Sequence, residues 1–210
     1  MSGDVNGSGD HPVEAAGPGR PRDPQVDRSV LDATIALLVE SGYQKTTIQA
    51  IARRAKVSAP AIYRRWATRE MIIEDAIFGL ESMGDVPLPP STDDLHADLL
   101  AWTRSFLERA AHPAARSAIP GLMSTWNHNE GVYERLVQRA EVPARKALLA
   151  RIRLAEPDAE PAAATSTADT VFDLLVSATM LRGVSRGFED SDAWCERIAD
   201  ALFALIGTID

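Results

Sequence analysis

The chain has 210 residues, 45% of them hydrophobic and 25% charged, an ordinary composition for a globular protein large enough to bury a core. No apolar run approaches the roughly 20 residues that cross a bilayer, and a single cysteine, Cys195, excludes an internal disulfide and a cysteine-based metal site. The net charge of −8 is uneven: residues 1–69 hold ten Lys/Arg against seven Asp/Glu, and residues 70–210 twelve against twenty-three, a basic head on an acidic body that suggests a polyanionic partner for the head alone.

Residues 1–24 are rich in Gly and Pro and poor in large apolar residues, so they are expected to stay a flexible tail. The tail has no apolar h-region, and the expected compartment is the cytoplasm. Its "GPGRPRD" segment is narrow, extended and doubly basic, which suits an A·T-rich minor groove or a merely solubilising tail. From Val26 the pattern becomes helical: Leu31, Ile35 and Leu38 recur at helical spacing, and Gly42 stops the helix.

The stretch that follows, Ser41 to Arg69, contains no Asp or Glu and seven basic residues: Lys45, Arg53, Arg54, Lys56, Arg64, Arg65 and Arg69. Within it Ile48, Ile51, Ala52 and Ala55 share one helix face, with Thr46 and Gln49 in capping-box register. Lys56-Val57-Ser58 breaks that helix. Ser58 can cap a second one, Pro60 fits its first turn, and Ile62 and Trp66 point inward. Helix, three-residue turn and helix over about twenty residues is the helix-turn-helix plan.

The outward face of the second helix presents Ala59, Pro60, Ala61, Tyr63 and Arg64. Small residues at its start allow close approach to the major groove, Ala or Pro can touch a thymine methyl, and Arg64 can read guanine. Thr47, Ser58 with the helix N-termini, Tyr63, Arg65 and Arg69 suit phosphate oxygens.

Beyond this stretch, "PLPPSTDD" (87–94) is a break, and Leu99, Trp102, Phe106 and Leu107 mark a helix capped by Ser91 or Thr92. Pro113 and Pro120-Gly121 predict a short or kinked segment, and Pro143 lies within a longer helix. Residues 156–167 read as an exposed loop before two final helices, roughly 168–187 and 191–208, the second capped by Ser191. No strand-like alternation of useful length is present. The fold class is all-α, with about nine helices.

Residues 30–77 also resemble a known family, the tetracycline-repressor (TetR) family of transcriptional regulators. The resemblance rests on Gly42-Tyr43, Thr46-Thr47, Ala55-Lys56-Val57-Ser58, the Tyr63 to Trp66 helix end, and Arg69-Glu70. One position departs: the family usually has Gly where Lys56 stands, and a positive φ there costs a non-Gly residue on the order of 1 kcal/mol.

The resemblance implies a helix-turn-helix domain over 25–69 and a ligand-binding and dimerisation domain over 70–210. The last two helices would pair with a second subunit through Val171, Leu174, Leu175, Ala178, Leu181, Trp194, Ile198, Leu202, Leu205 and Ile206. Homodimerisation would set two recognition helices about 34–36 Å apart on a palindromic operator in double-stranded DNA. A pocket lined by Trp102, Phe106, Met123, Trp126, Phe172 and Met180 would take a small apolar or aromatic effector, with Arg104, His128 or Glu130 as polar contacts. Its binding would release a repressor from DNA by a population shift through the helix near 69–83. A protein partner in place of the effector, or activation in place of repression, is the alternative.

No cofactor, metal site or enzyme activity is expected. Ser124 and His128 stand four apart without a third group, and the four histidines, His11, His96, His112 and His128, lack ligand spacing. Cys195 sits in an apolar helical run as a packing residue.

Overall fold

In a computed structural model that describes residues 23–79, 88–128 and 130–207, the described residues form helices and no strands. The helices are α1 (Pro24–Ser41), α2 (Ile48–Ala55), α3 (Ala59–Tyr63), α4 (Arg69–Phe78), α5 (Leu95–Ala111), α6 (Pro113–Trp126), α7 (Glu130–Leu136), α8 (Val142–Ala155), α9 (Pro161–Arg186) and α10 (Asp192–Ile206). A π-helical turn, Val137–Glu141, joins α7 to α8 without a break, so nine continuous helices are present among the described residues. The basic tail and residues 80–87 lie outside them.

Local chemistry explains most boundaries. Asp23 caps α1 by accepting from the Gln25 amide, and Gly42 ends it at φ 79°, a conformation open to glycine. Asp94, rather than Ser91 or Thr92, caps α5 by accepting from the Ala97 amide at 3.0 Å. Thr92 turns instead to Asp98, to which its hydroxyl donates at 2.8 Å. The expected loop over 156–167 is shorter: Pro161 opens α9 and the Glu160 carboxylate accepts from Ala163 N at 2.8 Å, so the alanines that follow are helical. Ser191 occupies the position before α10 but makes no side-chain cap.

Prolines act unequally. α6 runs unbroken for 14 residues with Pro113 in its first turn and Pro120 inside. Pro143, by contrast, follows the π turn after one intervening residue, where a regular helix would drive its ring against the Arg139 carbonyl. The wider turn lets Val142 N donate to Val137 O and relieves that clash.

Three apolar clusters organise the chain. The head core joins α1 to α4 through Val30, Leu31, Leu37, Ile48, Ile51, Ile62, Trp66 and Ile72. The body core joins α5, α8, α9 and α10 through Leu99, Trp102, Leu148, Ile152, Phe172, Leu175 and Leu202. Between them, Leu38 of α1 and Ile73 of α4 pack on Ala114, Ala118 and Leu122 of α6. α4 therefore supplies one isoleucine to the head and the next to the junction.

Candidate nucleic-acid interface

The helix-turn-helix is assembled by caps on both helices. Thr47 is the N-cap of α2, its hydroxyl accepting from Ala50 N at 3.2 Å. Thr46, expected to cap with Gln49, is instead buried and donates to the Gly42 carbonyl. The reason is register: α2 starts at Ile48, so only the residue directly before it has the extended backbone a cap needs. Ser58 caps α3 by accepting from Ala61 N at 3.3 Å, with Pro60 in the first turn. Ile62 and Trp66, 0% and 2% exposed, plug the second helix into the head core.

Lys56 occupies the turn at φ 56° and ψ 38°, the left-handed conformation expected of it. Its amide donates to Ala52 O, and Val57 N does the same at 3.0 Å. Lys56→Gly is expected to stabilise the fold by about 1 kcal/mol, since glycine carries no Cβ penalty here. Thermal unfolding would register this as a rise of about 2–4 °C; an unchanged or lower midpoint would mean the lysine makes a compensating contact.

Outward, Ser58, Pro60, Tyr63 and Arg64 are exposed, with Ala59 and Ala61 half-buried beside them. Tyr63 is 52% exposed, and Thr47 also faces solvent at the start of α2. Three of the seven cations are engaged by partners within the chain, Arg54 on its surface and Arg65 and Arg69 partly buried. Arg54 forms a two-pronged pair with Glu40 of α1 at 2.5 and 2.6 Å. Arg65, expected on phosphate, turns inward: its Nε pairs with Asp27 of α1, and its Nη1 donates to Ala61 O at 3.1 Å. Arg69, also expected on phosphate, stacks 4.3 Å from the Tyr43 ring centroid, donates to Tyr43 O and pairs with Glu70. Lys45, Arg53, Lys56 and Arg64 are exposed and make no ion pair among the described residues. They are the cations left for a polyanion, and of these Lys45 and Arg53 are not singled out as contacts by the sequence pattern.

Beyond the apolar cluster on α6, the head is tied to the body at two further places. At the first, a Cβ on Gly121 of α6 would run into the Tyr43 ring, so the ring lies between that glycine and Arg69. At the second, Trp66 Nε1 donates to Asp75 Oδ2 of α4 at 2.6 Å. Asp75 also accepts from Arg135 of α7 at 2.7 Å and pairs with Arg139 of the π turn. Its neighbour Glu74, 0% exposed, accepts from Trp126 Nε1 at 2.8 Å and from Arg135 at 3.2 Å. Burial pushes the Glu74 carboxyl above the usual carboxylate range, a rise only partly opposed by Trp126 and the two arginines. The signal for this cluster is two adjacent acids inside the apolar run "MIIEDAIF" and two arginines four apart in α7 and the π turn.

The six residues expected to share one pocket separate into different places. Trp102 and Phe106 stack at 5.8 Å, and Phe106 meets Phe172 edge-on at 6.1 Å, within the body core. Trp126 sits instead with Phe78 and Tyr133 at the junction, at 6.4 and 5.7 Å. Met123 is 52% exposed, and Met180 is half-buried. Arg104 pairs with Asp192, and the His128 ring nitrogen contacts the Ser124 backbone carbonyl. Glu130's side chain lies outside the description.

On the last two helices, Val171, Leu175, Leu202 and Ile206 are buried within the chain itself. Ala178, Trp194 and Ile198 are half-buried. Leu174, Leu181, Phe203 and Leu205 are the ones that face outward, at 46%, 73%, 45% and 38% exposure. Cys195 is fully buried, and burial raises its thiol pKa.

Comparison with known proteins gives two family matches. Residues 30–76 match the family described as "Bacterial regulatory proteins, tetR family", and residues 89–202 match "Tetracyclin repressor-like, C-terminal domain". The chain is 28% identical over 184 residues to an uncharacterized HTH-type transcriptional regulator of Mycobacterium tuberculosis, Rv1556, covering 88% of this chain and 86% of that one. It is 28% identical over 103 residues to the DNA-binding transcriptional repressor TetR of Mycobacteroides abscessus, covering 49% and 53%. Among solved structures, the TetR family transcription regulator SCO0332 superposes with a TM-score of 0.63 at 24% identity, covering 89% of this chain and all of that one.

Proposed function

We propose that this chain, which belongs to the TetR family of helix-turn-helix transcriptional regulators, acts as a dimeric repressor that leaves a palindromic operator when a small apolar or aromatic effector binds. The observation that carries the DNA-binding surface is the sorting of the basic stretch. Arg65 and Arg69 are held by partners within the chain, whereas Lys45, Arg53, Lys56 and Arg64 are exposed on the head and make no ion pair among the described residues. Phosphate contacts then fall to Thr47, Ser58, Tyr63, Lys45, Arg53 and Lys56, with base contacts to Ala59, Pro60, Ala61 and Arg64.

Dimerisation is supported by the outward Leu174 and Leu181, two turns apart on one face of α9, apolar side chains that water does not favour on a lone subunit. The repressor role is supported by likeness to a relative named a repressor. The cytoplasmic location fits a DNA-binding role and the likeness to bacterial regulators.

Selection of random duplexes with the purified protein tests the reading, and a palindrome of two half-sites is the expected result. Arg64→Ala should then relax preference at one base pair by about 1–3 kcal/mol. Arg53→Ala should weaken all duplexes alike and flatten the salt dependence by about 0.9 in the log–log slope. Equal effects from the two substitutions would undo the division between base and phosphate contacts.

A further inference from the structure

The N–H donors of Arg135 and Arg139 outnumber the carboxylate oxygens left to them, since Trp66 takes Asp75 Oδ2 and Trp126 takes Glu74 Oε1. Asp75 is shared by Trp66, Arg135 and Arg139, and Glu74 by Trp126 and Arg135. Arg139, whose side chain is 8% exposed, has only a share of one carboxylate, reached through Nη1. Its Nε and Nη2 are buried with no hydrogen-bond partner among the described residues. Those two atoms form the side-on edge of the guanidinium, the fork that matches a carboxylate with two parallel hydrogen bonds. A buried donor left unmade is costly, and native structures rarely leave two on one side chain without a reason.

The surroundings fit the apolar part of such a ligand. Glu74 joins the arginine to the aromatic row, since it lies within Coulombic range of Arg139 and takes the Trp126 indole hydrogen. Trp126 in turn contacts Phe78 and Tyr133. Tyr133 is 43% exposed, so the row reaches solvent.

We propose that the junction binds an aromatic carboxylate, its anion seated on the Nε–Nη2 edge of Arg139 and its ring against Phe78, Trp126 and Tyr133. The site lies apart from the Trp102–Phe106–Phe172 cluster of the body core. Occupancy reaches the recognition helix because the same guanidinium holds Asp75, and Asp75 holds Trp66. That consequence rests on the effector-responsive reading of function; the binding itself does not.

Naphthoate and naphthamide, alike in shape and different in charge, test the site by calorimetry on the full-length protein. Naphthoate should bind about tenfold to a hundredfold tighter than naphthamide, the worth of a charge-assisted fork. Arg139→Gln should abolish that preference, and Arg139→Lys, which keeps the charge and loses the fork, should lose most of it. Reading the ratio within each variant separates recognition from any general loosening of the fold, and Arg139→Lys carries the test if the glutamine variant does not fold. Equal binding of acid and amide, no saturable binding of the acid, or a preference that survives in Arg139→Lys would overturn the site. Operator affinity distinguishes the two readings. Acid binding that needs Arg139 yet leaves operator affinity unmoved keeps the site and removes effector control. Release by a neutral ligand that ignores Arg139→Gln does the reverse.

Discussion

Arg65→Ala is expected to lower the stability of the protein by about 3–5 kcal/mol, a large part of the ~5–15 kcal/mol typical of a folded domain. The Arg65 and Asp27 side chains are only 11% and 6% exposed, so truncating one leaves the other charge desolvated and unpaired. Arg65 also donates to the Ala61 carbonyl within α3, so together with the Asp27 pair it fastens the recognition helix to α1. Urea unfolding followed by circular dichroism measures the loss. Asp27→Ala should cost a similar amount, and the double variant much less than the two added together, because removing both partners leaves no orphaned charge. The same geometry predicts an unchanged salt slope for DNA binding under conditions where Arg65→Ala remains folded. Retained stability together with a shallower slope would return Arg65 to the phosphate backbone.

What was legible in the sequence follows from the range of the interactions involved. Helix ends set by near neighbours read well: Gly42 at positive φ, Ser58 as a cap, and the left-handed turn at Lys56. Errors of one residue arose where two candidates adjoin, as with Thr46 and Thr47, because a cap depends on which backbone is extended and not on side-chain type alone. Contacts across the fold were hidden. Arg64 and Arg65 are adjacent letters, yet α3 ends between Tyr63 and Arg64, and only Arg65 comes within reach of Asp27, 38 residues earlier. The periodicity of α9 showed an apolar face without showing that Leu175 belongs to this chain's core while Leu174 and Leu181 face outward. The family resemblance named the head correctly and placed an aromatic pocket in the body. Trp126, counted with Trp102, belongs to the junction because Glu74 draws its indole there.

Asp75→Ala is expected to cost about 3–5 kcal/mol in stability and to weaken operator binding as well. The carboxylate is 3% exposed and is the meeting point of Trp66 from the head, Arg135 from α7 and Arg139 from the π turn. Alanine would strand an indole N–H and the Arg139 guanidinium and leave Arg135 with Glu74 alone, and among the described residues no other carboxylate receives Trp66. Asparagine separates the two effects: its side-chain oxygen still accepts from the indole, while its neutral amide no longer compensates Arg139. Asp75→Asn should therefore lose much of the stability in urea yet retain more operator affinity than Asp75→Ala at matched folded fraction. That difference is the energetic content of the Trp66 hydrogen bond for the recognition helix, since Trp66 closes the helix-turn-helix against the head core and Asp75 sets its depth. Equal operator affinities for the two variants would mean that Asp75 supports the fold without positioning the DNA-binding surface, and that the link between body and head runs through Tyr43, held between Arg69 and Gly121.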